Sequence, residues 1–543
     1  MADQTREFVF ANFRGGIQDR EAVQIPYSYL RDVQNMRVSR GSLLSRGGRI
    51  KRYSSQFGGG NPIQSLHQYW DEDGNKVILI VANGIVYRDD MDGSDPTGND
   101  ITGAMAGLLS TSKDARYSFV DHDNRCYGTE GVAEPFYIPS QTGDAALYSD
   151  RIVAGEDDVK VYPTRMGVLE AFRHSLFSGD YKDFGGAKPN RPYGTIHTNP
   201  LSDDPIEYDS QQGPRMDYNR RFQVRGLHEH DMRTMLIYLR KGIWWAEYAP
   251  VAELGRARSD FAYDRLTPRV GLAAKYGVVV TPEGTYHVDN DGIYAIRAGY
   301  PPLKPQYVGK PIETFWGTIR KTRRPFICGV EDVENNGVLF CVPVGSTQIN
   351  NNRGLYFNYE SWSEEGLELQ DAHPAYSIFR GARQSTDFGF NCLASIEDTD
   401  GRQRIIAGGY DGFVYTLDQG ITDDGTAYTA SFKLPNIGTP GQENHWHELI
   451  MDTNLNDSKS ITIVQRNYDV NVVSSESFYS GTAGTVLGEF LLDTSVLSSG
   501  NLGGIRADLF GESRYTELEV TLNTGFPFNV HGLLVRAKRG RHM

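Results

Sequence analysis

The chain has little cysteine: Cys126, Cys328, Cys341 and Cys392 are all that 543 residues contain. None stands in a C-x-x-C pair or at zinc-finger spacing, which excludes a disulfide scaffold and a finger-type fold. The four are read as buried small hydrophobes of a protein folded in a reducing cytoplasm. No window approaches the roughly 18 uninterrupted apolar residues of a membrane-spanning helix, so no such segment is expected. Met1-Ala2-Asp3-Gln4 leads into no apolar stretch, so no signal peptide is expected either. Positive charge is also short, 55 Lys and Arg against 69 Asp and Glu, for a net charge of −14. That balance argues against a protein that grips nucleic acid over its whole surface, while allowing one that lets DNA slide past. There is no Gly-x-Ser-x-Gly elbow, no phosphate-cradling loop and no Ser-x-Asp-x-Gly-aromatic box of the sialidase kind.

What the chain does have is glycine and tyrosine, 59 and 31 residues, with 39% hydrophobic content. This composition suits a turn-rich, all-β globular protein. Five times an apolar run is followed by Gly, a bulky apolar residue and aromatics: Gly84-Ile85-Val86-Tyr87, Gly242-Ile243-Trp244-Trp245, Gly292-Ile293-Tyr294, Gly354-Leu355-Tyr356-Phe357 and Gly412-Phe413-Val414-Tyr415. Each reads as a hairpin, with the Gly in the positive-φ turn position and the aromatics opening the returning strand. A hairpin repeated at ~50–60 residue spacing predicts the blades of a β-propeller.

The chain divides on this reading into five parts. Residues 1–62 form an irregular N-terminal strap laid over a body built elsewhere. Residues 63–144 hold the first propeller blades, including a weaker unit with strands over Arg116–Val120 and Arg125–Thr129. Residues 145–222 break the rhythm as a long loop-rich insertion, in which Val168, Leu169, Phe172 and Leu176 recur at helical spacing and predict one short amphipathic helix. Blades resume over 223–427. Residues 428–543 read as a C-terminal β-sandwich, with Leu518, Val520 and Leu522 alternating against Glu517, Glu519 and Thr521.

Several polar clusters are candidates for chemistry. The acids Asp71/Glu72/Asp73, Asp89/Asp90/Asp92/Asp95, Asp203/Asp204 and Asp423/Asp424 sit beside Gly, Pro and Asn, where turn formation explains them without catalysis. Asp90–Asp95 lacks the register of a calcium loop. His445-Trp446-His447 and His228-Glu229-His230-Asp231 would each place two imidazoles on one strand face, but no further ligands stand at fixed spacing. The clusters Arg320–Arg324 and Arg536–His542 could meet phosphate or an acidic neighbour, and Trp244, Trp245 and Trp362 read as blade core. No catalytic, cofactor-binding or metal-binding residue is assigned, no cofactor is expected, and the chain is not read as an enzyme.

The strap carries an ordered set of residues: Gly15-Gly16-Ile17, Pro26, Leu30, Asn35-Met36-Arg37, Gly41-Ser42-Leu43 and Arg46-Gly47-Gly48. This order resembles the opening of the tailed-bacteriophage tail-nozzle proteins, also called tail-hub or packaged-DNA stabilisation proteins. Val270-Gly271-Leu272 through Thr281-Pro282-Glu283-Gly284 and Asp291-Gly292-Ile293-Tyr294 resemble a mid-propeller hairpin of that family. Gly408-Gly409-Tyr410-Asp411-Gly412-Phe413-Val414-Tyr415-Thr416-Leu417-Asp418, with the turn Asp423-Asp424-Gly425, resembles its late blade. Phe526-Pro527-Phe528-Asn529-Val530-His531-Gly532-Leu533 resembles its closing sandwich strand. The likeness covers most of the chain except 145–222.

The resemblance implies a structural virion protein of the tail, made in the bacterial host cytoplasm. Copies of the chain, six in the family's manner, would form a ring below the portal and adaptor proteins. That head–tail connector ring would retain packaged DNA and conduct it during ejection, without sequence-specific contacts and with tail fibres as further partners. The 145–222 insertion would then be a gate across the channel, a contact with a fibre or a neighbouring subunit, or a solvated decoration. The alternative is a propeller that binds glycan or hydrolyses polysaccharide, which requires rim aromatics or two acids in the axial pocket.

Overall fold

The repeated Gly-apolar-aromatic hairpin is the turn between the second and third strands of a propeller blade. The structure, a computed structural model, describes residues 5–18, 25–71, 74–122, 124–148, 165–173, 175–183, 186–196, 207–208, 224–248, 261–359, 374–382, 388–438, 442–453, 460–467, 473–479, 503–523 and 528–539. Lys76–Ala82 turns into Ile85–Asp89 through Asn83 and Gly84, whose φ values of 54° and 72° are the pair a tight two-residue hairpin requires. Gly242, Gly292 and Gly412 likewise have positive φ, at 104°, 155° and 80°. Gly354 departs from the expectation. It lies inside the strand Arg353–Asn358 without a positive φ, and a Cβ there would stand 2.9 Å from the Phe388 ring. Close packing, not turn geometry, calls for glycine at that position.

Among the described residues the sheets close a ring of seven blades. Five are separate four-stranded sheets, starting with the inner strands Ser118–His122, Val168–Phe172, Val224–Asp231, Val278–Thr281 and Cys392–Glu397. We number these blades 2, 3, 4, 5 and 7. Blade 1 is the three-stranded sheet Ile63–Trp70, Lys76–Ala82 and Ile85–Asp89. Blade 6, from Cys328–Asp332 to Ala375–Phe379, is four-stranded and continues into a larger sheet. Each inner strand packs against the next, and that of blade 7 against that of blade 1. The fourth strand of blade 7 is Arg49–Lys51, which pairs with Val414–Leu417, so the N-terminal region fastens the ring.

The expected helix is absent. Val168–Phe172 and Ser175–Asp183 are the first hairpin of blade 3, so 145–222 holds a whole blade and not a bare loop. The error has a physical cause. A residue and the fourth one after it share a face in a strand as well as in a helix. A blade also buries both its faces: Val168, Phe172 and Phe177 pack with Val224 and Ile237 on the blade 4 side, while Leu169 and Leu176 pack with Tyr127 of blade 2. Two-sided burial erases the polar alternation that marks a half-exposed strand.

The strap is not laid over the body but woven through it. Thr5–Phe10 pairs with Asn529–Arg539, and Ser42–Ser45 pairs with the same strand further along. One sheet of the sandwich therefore runs Gly503–Asp508, Asn444–Thr453, Asn529–Arg539, Ser42–Ser45 and Met36–Ser39. The other runs Asp32–Gln34, Thr429–Lys433, Tyr515–Asn523, Ser460–Asn467 and Val473–Tyr479. Asp32–Gln34 also pairs with Ala375–Phe379 of blade 6, which makes that sheet continuous with the propeller. Leu518, Val520 and Leu522 are fully buried, as their alternation predicts, in a core that reaches from Phe10 and Val535 to Phe340 and Phe357. No described helix is long and apolar enough to cross a membrane, which leaves membrane-crossing strands unaddressed.

Gly16 lies where the strap meets blade 6. Its φ is 59°, and a Cβ would fall 2.6 Å from the Tyr376 backbone nitrogen and 2.7 Å from Ala375. Gly16→Ala is expected to destabilise the protein by at least roughly 1–3 kcal/mol, the cost of a left-handed non-glycine residue, before any backbone displacement. Chemical denaturation of the variant beside the parent measures it.

Candidate functional site

The inner strands of all seven blades line one axial cavity of about 210 Å³. Each blade contributes to the lining: His67, Leu169, His228, Cys328 and Cys392 from inner strands, and Arg116 and Lys275 from just ahead of theirs. No carboxylate is among the described lining residues, whereas His67, Arg116, His228 and Lys275 are. Arg116 is buried and donates from Nη2 to Asn391 Oδ1 at 2.9 Å, while Nε and Nη1 find no partner among the described residues. Its guanidinium lies 5.8 Å from the ring centres of Tyr276 and Phe326.

Burial dominates the titration of this centre. It pushes the Lys275 amine down to about 7, although Asp180 and Glu130 favour its charged form. It pushes His228 down to about 4, so that imidazole is neutral at pH 7. Glu170 stands with its Oε2 3.9 Å from His228 Nδ1 and is pushed up to about 8, by burial first and by Glu229 second. The signs follow from linkage. Glu170 holds its proton above the unfolded value of 4.5, so its contribution is full below about 4.5 and is lost as pH rises through about 8. Lys275 is depressed from 10.5, so its contribution is full above about 10.5 and is lost as pH falls through about 7. Glu170→Gln is therefore expected to gain stability over the parent as pH is raised from 5 to 8, and Lys275→Met to gain most below pH 7. Denaturation midpoints across that range check both.

A second arrangement ties the strap to blade 7 and the sandwich. Arg46 and Asp423 are buried and form a bidentate pair at 2.9 and 2.7 Å. Arg46 also donates from Nε to Asn35 Oδ1 at 3.0 Å, from Nη1 to Gly47 O at 2.8 Å and from Nη2 to Arg380 O at 3.0 Å. All five donors of the fork are thereby used. The guanidinium lies 3.9 Å from the centre of the Tyr428 ring and 4.6 Å from that of Phe388. Beside it, Arg37 pairs with Asp418 at 2.5 Å, and Asp418 also accepts from the Gly47 backbone at 2.6 Å. Burial opposes the Asp418 charge, but Arg37 outweighs it and holds the carboxyl below its usual range. Lys51 meets Asp424 at 3.1 Å.

The clusters singled out in the sequence fall elsewhere. His445 pairs with Glu512 at 2.7 Å near the surface, and His447 is exposed. His228 and His230 are not a ligand pair: His228 reaches the axis, whereas His230 bonds Thr285 and the Arg297 carbonyl. Asp92 and Asp95 accept from backbone and side-chain groups of their own turn. In the basic run, Arg320 donates to the Thr347 and Gln348 carbonyls, Arg323 grips Asp114 at 2.7 and 3.0 Å, and Arg324 donates to Asn290 O. Arg536 bridges Glu7 and Glu448. Trp244 and Trp245 pack at the edges of the blade 4 clusters; Trp362, Asp203 and Asp204 lie outside the described residues. All four cysteines are buried and unpaired. His228 was visible in the sequence, but its convergence with the other axial residues was not, because each comes from a different blade and no local spacing joins them.

No protein-family model and no curated protein matches the chain. Solved structures do match at low similarity. YCF48 bound to a D1 peptide is 11% identical over 68% of this chain and 98% of its own, with a TM-score of 0.34. The N-terminal domain of Nup159 is 7% identical over 71% and 98%, with a TM-score of 0.37. An exo-β-1,3-galactanase from Phanerochaete chrysosporium, with galactose, is 10% identical over 80% and 99%, with a TM-score of 0.24. Likeness at this level carries no functional argument; the propeller stands on its strand pairing.

Proposed function

We propose that the chain is a structural subunit of a bacteriophage tail, a nozzle or hub that assembles as a ring, holds packaged DNA and conducts it during ejection. The observation that supports this reading most is the meeting place of the family-like residues. Asn35, Arg37, Arg46 and Gly47 come from the strap, and Asp418 and Asp423 from the late-blade segment nearly 400 positions away in the chain. They form one cluster in which the buried Arg46–Asp423 pair is joined through Gly47 to the partly buried Arg37–Asp418 pair. A likeness of scattered short motifs gains weight when those motifs depend on each other for their partners.

The axial cavity is far too small for a duplex, whose major groove alone is ~12 Å wide. Any DNA path must run through a ring of several copies, not through one propeller. The net charge of −14 suits such a path, because like charge keeps DNA from adhering to the wall. Copies of the chain, adaptor and portal proteins and tail fibres are the partners on this reading. On this reading the role is structural, and no carboxylate lies among the described residues lining the axis, where two-acid glycoside hydrolysis would need a pair. The reading is tested on purified particles of a phage that encodes the chain. Its peptides should be recovered at several copies per particle and released with the tail; their absence from particles would overturn the reading.

A further inference from the structure

His67, Asp121 and Cys126 lie far apart by motif standards but are brought together at the junction of blades 1 and 2. Asp121 and Cys126 face each other directly across the hairpin of Ser118–His122 and Arg125–Thr129, so their side chains project from the same side of the sheet. His67 reaches them from the inner strand of blade 1, its Nε2 2.9 Å from Asp121 Oδ1. One ligand atom from each residue lies within 4.8 Å of the other two. Donors at ~2.0–2.3 Å from a tetrahedral metal fall within such a span after small rotations.

We propose that these three side chains form a divalent metal site of the zinc class that staples blade 1 to blade 2. The donor set is one imidazole, one carboxylate and one thiolate, a mixture that suits zinc or cobalt and not magnesium or calcium. A divalent cation bound by a thiolate, a carboxylate and a neutral imidazole is charge-neutral, which suits a position where Cys126 is fully buried. On binding, the Cys126 thiol proton leaves to solvent, and His67 shifts its ring proton from Nε2 to Nδ1 with no net loss. The supports for the ligands are already in place. Asp121 Oδ2 accepts from the Trp70 backbone N–H at 3.1 Å, and the His67 ring stacks on Phe119 with centres 5.5 Å apart. The His67 and Asp121 side chains are 24% and 26% exposed, so the fourth position opens to solvent. His67 also lines the axial cavity, which places that open position at the cavity's rim.

The test uses the full chain, stripped with chelator and titrated with Co²⁺ as an absorbing probe, then with Zn²⁺ as competitor. One Co²⁺ per chain is expected, with a thiolate-to-cobalt charge-transfer band that Zn²⁺ abolishes. Cys126→Ala should remove that band, which separates this thiolate from the other three cysteines. His67→Ala, at a partly exposed position, should weaken Co²⁺ binding more than about tenfold, with far-UV circular dichroism checking that the variant is folded. Zn²⁺ should also raise the thermal midpoint of the parent and leave that of His67→Ala unmoved. No charge-transfer band at several-fold excess of Co²⁺, or a band that persists in Cys126→Ala, would overturn the proposal. These outcomes are independent of whether the chain is a tail protein.

Discussion

Arg46→Met is expected to destabilise the protein by roughly 3–5 kcal/mol, among the largest single-residue effects in the chain. The residue places a charge where water cannot reach it and satisfies all five of its donors there. Removing it strands Asp423, itself buried, and leaves the Asn35 and Arg380 groups to find new partners. A buried carboxylate without its cation either stays charged at high cost or takes up a proton. Arg46→Lys retains the charge but loses the planar two-point grip, so it should recover only part of the loss. Combining Arg46→Met with Asp423→Leu removes both charges and should restore much of the stability. Equilibrium denaturation of the parent, Arg46→Met, Asp423→Leu and the double variant forms a double-mutant cycle. Additive losses in the double variant would show that the pair does not act as a unit.

Removing residues 1–52 is expected to abolish folding of the whole chain, an effect larger than any point substitution. The segment supplies Thr5–Phe10, Met36–Ser39 and Ser42–Ser45 to one sandwich sheet and Asp32–Gln34 to the other. It also supplies Arg49–Lys51 to blade 7. Its loss would expose an unpaired edge on each of these sheets and open Phe10, Phe13, Leu30, Val33 and Met36 out of the shared core. The truncated chain should accumulate as aggregate, whereas co-expression with a separate 1–52 fragment should recover soluble complex. A truncated chain that stays soluble and keeps the parent's unfolding midpoint would mean that the strap is peripheral after all.

The propeller was legible because its hairpins are local. Asn83-Gly84 and the Gly242, Gly292 and Gly412 turns need positive φ, and that need is written in single residues. Leu518, Val520 and Leu522 were legible because a sandwich strand buries one face and shows the period of two. Blade 3 was not, because its two buried faces leave Val168, Leu169, Phe172 and Leu176 without polar alternation. The weaving of the strap was hidden for a different reason. Strands such as Ser42–Ser45 and Arg49–Lys51 are three or four residues long, and their partners lie hundreds of positions away. No local pattern records such a pairing. The same holds for the site residues: Arg116 with Lys275 at the axis, and His67 with Asp121 and Cys126, meet only once the ring is closed.

The reading as a tail conduit stands or falls on assembly, since a single propeller offers DNA no passage. Native mass spectrometry of the purified full chain, with negative-stain images of the same sample, tests this most directly. A closed ring with a central channel, six-fold by the family resemblance, is the expected result, formed alone or on addition of the adaptor protein from the same phage. A chain that remains monomeric at high concentration and in the presence of that adaptor would contradict the account.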